Sequence, residues 1–251
     1  MPPTVEGDPA RAATAAWPPG TVLAALDAAD RDALVALGVP RTFQPGGALL
    51  REGSDDTSSY LLLRGCTKVL GNSADGRAVL LSVRVAGDLV GELAALDGGP
   101  RSASVVAATR IAARAIARPA FLRYLDERPR AARVIHRMVI AELRRATRHR
   151  IDVTVASTTV RLALVLDHLA GAYGQLRTGG VHIDVPMSQP DLASLVGVSE
   201  PTLHRALAGL RERDIIRTAY RHLVVRDLPA LRALAQPPPT RSSPGSRGRA
   251  R

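Results

Sequence analysis

Glu92, Arg101 and Ser102 are the residues whose types and spacing best fit chemistry on a small molecule. A planar guanidinium and a hydroxyl suit phosphate oxygens, and an ionised carboxylate, which only accepts, suits a sugar hydroxyl. Gly91 permits close approach of a ligand to the backbone. Glu92-Leu93-Ala94-Ala95-Leu96 can form one helical turn with free N–H groups beside it. An acid and an arginine nine residues apart can hold the ribose and phosphate of one nucleotide. They can also form an internal salt bridge.

A second set lies at 188–211. Ser188-Gln189-Pro190-Asp191 has the form of a capping box with proline in the tolerated first turn. Leu192, Leu195 and Val196 give that helix an apolar side, and Gly197 permits a turn. Ser199 is the expected cap of a second helix from Glu200 to about Arg211, with Leu203, Leu207 and Leu210 inward. Two short helices around a glycine turn make a helix-turn-helix, whose second helix suits a major groove. His204, Arg205 and Arg211 then face outward. Residues 213–218 and 221–225 alternate in polarity as a hairpin wing. An amphipathic helix pair in an unrelated bundle fits these caps and this wing poorly.

The elements that carry these residues follow from texture. The chain has 251 residues, with Lys+Arg 34 against Asp+Glu 23, for a net charge of +11. That excess favours a polyanionic partner. Aromatic residues make up only 3%, which argues against stacking platforms for single strands. The single Cys66 rules out an internal disulfide framework and any metal site built on several thiolates. No metal-ligand cluster, activated nucleophile motif or Walker loop is present, so an enzyme is not expected. The N-terminus lacks the apolar core of a signal peptide, and no run reaches roughly 18 apolar residues. A cytoplasmic protein without membrane association is expected.

Leu23, Leu26, Leu34 and Leu37 predict a first helix over residues 21–37, ended by Gly38 and Pro40. From Phe43 to Ile116, short β-rich runs alternate with glycines, the pattern of a β-sandwich or barrel. Residues 130–156 hold neither Gly nor Pro and predict one long helix. Ile135, Val139, Leu143, Ala146 and Val153 lie on or near one face, interrupted by Arg150, and that stripe calls for a second copy or for its own barrel. Ser157 caps a following helix to about Leu169, then a connection over 171–180 leads to a strand at 181–185. The predicted class is α+β, with five parts. These are a disordered segment (1–19), a β-roll (20–128), a long dimerisation helix (129–156), a winged helix-turn-helix (157–235) and a disordered basic tail (236–251). The tail's Arg241, Arg247, Arg249 and Arg251 attract DNA nonspecifically or merely solubilise.

The string Gly91-Glu92-Leu93-Ala94 followed by Arg101-Ser102-Ala103 resembles the phosphate-binding cassette of cyclic-nucleotide-binding domains. Phe43, Gly46, Leu50, Glu52-Gly53, Tyr60-Leu61-Leu62 and Gly65 match that family's strand and turn pattern. With the helix-turn-helix, residues 21–234 resemble the catabolite-activator (CRP/FNR) family of bacterial transcription regulators, a jelly-roll nucleotide domain joined to a winged helix-turn-helix.

The resemblance implies that Glu92 takes the ribose 2′-OH, while Arg101, Ser102 and N–H groups near Gly91, Leu93 and Ala94 take the cyclic phosphate. The family's Ser/Thr pair that meets adenine is Ala146 and Thr147 here, so Thr147 alone keeps a hydroxyl. The implied DNA-facing set is Ser188, Gln189, Ser199, Glu200, Pro201, Thr202, His204, Arg205 and Arg211. The chain is thus expected to be a homodimer that reads a palindromic operator, gated by cyclic AMP and using no cofactor. RNA polymerase stands as a candidate partner. Cyclic GMP, a cyclic dinucleotide or no ligand are the alternatives, and a regulatory subunit of an enzyme is another. Cys66 alone excludes the four-cysteine oxygen-sensing branch, and the absence of histidine from the roll disfavours a His-ligated haem. Pro201 and Glu200 predict departure from the family's TGTGA half-site, with the guanine under Arg205 kept.

Overall fold

A computed structural model describes residues 17–73, 76–219 and 222–235. Most of the expected N-terminal disordered segment and all of the basic tail lie outside the described residues, as does Arg221 of the wing. Trp17 already packs on the apolar cluster around Leu23 and Phe121.

The helix expected over 21–37 is two, α1 (Val22–Ala25) and α2 (Ala28–Ala36). Leu26 turns extended to bury its side chain, and the Asp27 carboxylate accepts from the Asp30 N–H at 2.9 Å, which starts a new helix. Gly38, at φ +72°, ends this region; a Cβ there would lie 2.1 Å from the Ala115 carbonyl oxygen.

Eight strands follow: β1 (Val39–Phe43), β2 (Ala48–Leu50), β3 (Ser59–Arg64), β4 (Cys66–Asn72), β5 (Ala78–Val85), β6 (Leu89–Val90), β7 (Ser104–Ala107) and β8 (Ile111–Ile116). Helix α3 (Glu92–Asp97) interrupts them. They form two antiparallel sheets in the orders β1-β8-β3-β6 and β2-β7-β4-β5. Leu50, Leu62, Val90, Val105 and Ile111 form an apolar cluster drawn from both sheets, as alternation along half-buried strands requires. Strand β5 is an edge of its sheet.

Helix α4 (Arg118–Glu127) leads into α5 (Pro129–Val155), the expected long helix. Its apolar stripe divides. Ala131 and Ile135 are buried against the roll, whereas Ile140, Leu143, Ile151 and Val155 are exposed.

Helix α6 (Thr158–Tyr173) starts at Ser157, whose hydroxyl accepts from the Val160 N–H. It runs past its expected end, through Gly171, because the Tyr173 ring is buried and its hydroxyl donates to the Val83 carbonyl at 3.0 Å. The expected connection is therefore half helix and half strand, β9 (Gly174–Arg177), paired with β10 (Gly180–Ile183). Then come α7 (Gln189–Val196), α8 (Glu200–Glu212), β11 (Ile216–Ala219), β12 (His222–Val225) and α9 (Leu228–Ala235). The strands make a sheet in the order β11-β12-β10-β9. The sequence pattern alone does not predict helix α9. Leu231 fixes it in the core, and Arg232 pairs with Asp167 of α6 at 2.9 Å. One apolar cluster joins this C-terminal unit to Cys66, Leu80, Val83 and Val85 of the roll. Among the described residues, no helix is long and apolar enough to cross a membrane.

Candidate effector cavity and DNA interface

Gly91 is left-handed, with φ +77°, and it caps α3. A Cβ there would lie 2.7 Å from Arg101 Nη1 and 2.8 Å from Leu50 Cδ1. The glycine is thus required by close approach of this chain's own arginine as well as by its φ. Arg101 is buried, with a side chain only 2% exposed. Its Nη1 donates to the Gly91 carbonyl at 2.9 Å, and its Nη2 donates to Asp56 Oδ2 at 2.8 Å and to the Ser58 carbonyl. Arg101 Nε is buried and has no hydrogen-bond partner. Burial works against ionisation of Asp56, but hydrogen bonds from Arg101 and Ser58 hold its carboxyl below the usual range.

Gly91, Glu92, Leu93, Ala94, Arg101 and Ser102 line one cavity of about 800 Å³. Burial raises the Glu92 carboxyl above its usual range, and the neighbouring Arg84 offsets part of that. The other end of the cavity was not foreseen from sequence. Arg84 of β5 reaches Glu142 of α5, Nη2 to Oε1 2.9 Å, and Arg145 grips the same carboxylate. Against the cost of burial, these two cations bring the Glu142 carboxyl down to about 2. Asp88, which lies beside this group and accepts from the Val85 N–H, is pushed up to about 7, chiefly by burial. His168 of α6 also lines the cavity, and burial beside Arg145 lowers it to about 4. Thr147 is not in the lining. It is exposed, its hydroxyl donates to the Leu143 carbonyl at 3.0 Å, and it stands on the side of α5 that exposes Leu143. Among the described residues, no group of three His, Cys, Asp or Glu side chains could hold a metal ion. Burial pushes the Cys66 thiol up to about 12, the behaviour of an inert core residue.

In the C-terminal unit, the predicted capping box is present. Ser188 Oγ accepts from the Asp191 N–H at 3.3 Å, and Asp191 Oδ2 accepts from the Ser188 N–H at 2.8 Å. Ser199 occupies the cap position of α8, but its hydroxyl makes no bond to the helix backbone. Pro201 has no N–H to offer, and Ser199 Oγ lies 3.0 Å from the Thr202 hydroxyl instead. Gly197 is left-handed, at φ +70°, as the turn between helices needs. Leu203, Leu207 and Leu210 are buried. Gln189, Glu200, Pro201, His204, Arg205 and Arg211 are exposed, on the opposite side. Arg205 Nη2 donates to Thr202 Oγ1 at 3.3 Å, and Arg211 Nη1 to Thr218 Oγ1 of β11 at 3.3 Å. A two-helix unit with a wing and an outward face of cations and hydrogen-bonding groups can enter a DNA groove.

Comparison with known proteins agrees with both halves. Residues 40–128 match the cyclic nucleotide-binding domain, and residues 160–234 match the Crp-like helix-turn-helix domain. The chain is 29% identical over 188 residues to a CRP-like cAMP-activated global transcriptional regulator of Mycobacterium tuberculosis, covering 75% of this chain and 84% of that protein. Among solved structures, FixK2 from Bradyrhizobium japonicum superposes with a TM-score of 0.69 at 21% identity, over 80% of this chain and 99% of that one. The c-di-GMP-responsive regulator CLP of Xanthomonas campestris gives 0.65 at 19% identity, over 80% and 100%.

Proposed function

The chain belongs to the CRP/FNR family of transcription regulators, a family of DNA-binding proteins and not of enzymes, and from that premise we propose a homodimer whose operator binding is gated by a cyclic nucleotide. The observation that carries the effector reading is Arg101 Nε, a buried donor without a partner on the wall of the cavity. A buried unpaired N–H is costly, and a phosphate oxygen would satisfy it with a charge-assisted bond. Ser102 adds a hydroxyl, and Glu92 offers an acceptor for a ribose 2′-OH. The relative that is cAMP-activated makes cyclic AMP the first candidate. The likeness to a c-di-GMP-responsive regulator makes a cyclic dinucleotide the second.

Ile140, Leu143, Ile151 and Val155, exposed on α5, favour pairing with a second copy. Thr147 shares that side, so it meets an effector only where pairing carries it to the partner's cavity. Two helix-turn-helix units related by a two-fold axis read half-sites about 34 Å apart. Ser188, Gln189 and Ser199 approach the phosphates, and Glu200, Pro201, Thr202, His204 and Arg205 the bases, with Arg211 flanking. Arg205 addresses a guanine, while Pro201 offers no polar contact. The protein acts in the cytoplasm, where its DNA lies.

Isothermal calorimetry with cyclic AMP, cyclic GMP and cyclic di-GMP tests the reading. Saturable binding of one of them, lost in Arg101→Ala, is expected. Undiminished binding by Arg101→Ala would remove the pocket assignment.

A further inference from the structure

The edge strand β5 carries two roles at once. Its Ser82 and Arg84 line the effector cavity. An exposed edge leaves main-chain groups unpaired, and they must find partners elsewhere. Here the C-terminal unit supplies them. The Leu80 N–H donates to Ser194 Oγ of α7 at 2.8 Å, and the Val83 carbonyl accepts from the Tyr173 hydroxyl of α6. On the adjacent strand, Lys68 Nζ lies 2.6 Å from Asp191 Oδ2, the same oxygen that accepts from the Ser188 N–H in the capping box. Although burial opposes it, the bonds from Lys68 and Ser188 hold the Asp191 carboxyl below its usual range. The shared core of Leu80, Val83 and Val85 with Leu162, Leu166 and Leu195 closes the same contact.

The docked unit also walls the cavity. Leu164, Val165, His168, Ser194 and Leu195 line it together with Glu92 and Arg101. The reading face of α8, with Glu200, His204 and Arg205, stays exposed in this arrangement.

We propose that the far wall of the effector site belongs to the DNA-binding unit itself, so that β5 and the Lys68–Asp191 clamp transmit occupancy directly to α6 and α7 within one chain. The effector fills the space between cradle and wall and strengthens the docking. By linkage, docking strengthens effector binding by the same factor by which the effector strengthens docking, so a variant that populates the undocked state binds the effector more weakly. This rests on the cyclic-nucleotide reading only for the identity of the probe.

Lys68 lies outside the cavity lining, which separates this proposal from loss of a ligand contact. Lys68→Met is expected to weaken cyclic AMP binding roughly two- to fivefold, as a partly buried ion pair permits, and Lys68→Arg to restore it. Exchange of the Leu80 amide hydrogen is expected to slow when cyclic AMP is added to the wild-type protein. In Ser194→Ala without nucleotide it is expected to quicken by about tenfold, the loss of one hydrogen bond. Wild-type affinity in Lys68→Met, or a Leu80 exchange rate indifferent to cyclic AMP, overturns the transmission. Failure of the wild-type protein to bind cyclic AMP, cyclic GMP or cyclic di-GMP overturns the effector reading instead. Leu80 exchange in Ser194→Ala then decides the clamp alone, an unchanged rate being evidence against it.

Discussion

Arg101 and Arg205 are the arginines of the two proposed sites, and the molecule holds them in opposite ways. Arg101 is buried, with its Nη groups committed to a carboxylate and to two main-chain carbonyls, that of Gly91 at the start of α3 and that of Ser58 in the loop before β3. Arg205 is exposed and leans on the Thr202 hydroxyl, one turn away in its own helix. A small ligand must be met by groups already fixed, because a side chain ordered at the moment of binding spends binding energy on that ordering. A groove-reading arginine works from a rigid helix and finds its acceptors on the DNA. The roll therefore invests tertiary contacts in its arginine, and the helix-turn-helix invests them in Leu203, Leu207 and Leu210 beneath its arginine.

The difference breaks most visibly under truncation. Arg101→Ala removes the guanidinium's bonds to the Gly91 and Ser58 carbonyls and to Asp56, and should lower stability by about 1.5–3 kcal/mol as well as abolish effector binding. Urea denaturation checks this, and unchanged stability would mean that the arginine is not preorganised. Arg205→Ala should do the reverse. Stability stays within about 0.5 kcal/mol, as for other surface changes. Operator affinity falls by about 1–3 kcal/mol and one base of the half-site becomes degenerate. Selection from random duplexes reads this directly. An unchanged consensus would remove Arg205 as a reader, and recovery of an unaltered TGTGA half-site would remove the departure expected from Pro201 and Glu200.

Much of both sites is visible in sequence because it is local. The cassette from Gly91 to Ser102 and the capping box at 188–191 each lie within a few turns of chain, where cap chemistry and periodicity suffice. What holds Arg101 is not local. Asp56 lies 45 residues away, and Lys68 lies 123 residues from Asp191. Such pairings depend on which strand becomes an edge and what covers it, and no spacing records that. Asp27 broke the first helix because a side-chain acceptor competes with the helix backbone, a contest that the leucine pattern alone does not reveal. The family resemblance sets Thr147 with the ligand groups, and helical phase puts its hydroxyl on the exposed side of α5, outside its own chain's cavity lining.

pH sharpens the contrast, since the strongly shifted carboxyls belong to the roll and its contact with α5. Asp88 sits at about 7 in the fold, well above its unfolded value, because burial disfavours its charge. The native state therefore binds the extra proton between about pH 4 and 7, and this contribution is full below that window and lost as pH rises through 7. Asp88→Asn keeps an acceptor for the Val85 N–H. It should stabilise by about 1 kcal/mol at pH 8 and by little at pH 4. Denaturation midpoints at the two pH values check it, and a pH-independent difference would contradict it. Asp56 works in the other direction with a smaller effect. Its carboxyl is depressed, so its contribution is present near neutrality and lost as pH falls below the ordinary carboxylate range. Because Asp56 is half exposed, Asp56→Asn should cost under about 1 kcal/mol at pH 7. Effector affinity should fall with it, since Arg101 loses its charged brace; calorimetry showing wild-type affinity would argue that the carbonyls alone hold the guanidinium.

In the proposed function, the cavity around Arg101 governs the helix around Arg205. The most direct test of this is fluorescence anisotropy of a duplex enriched from random sequence, titrated with protein at one fixed salt concentration, with and without saturating cyclic AMP. DNA binding at least about tenfold tighter with the nucleotide, a coupling of about 1.4 kcal/mol, is expected, with no such gain in Arg101→Ala. Equal DNA affinity with and without nucleotide, in a wild-type protein that calorimetry shows to be saturated, would contradict it.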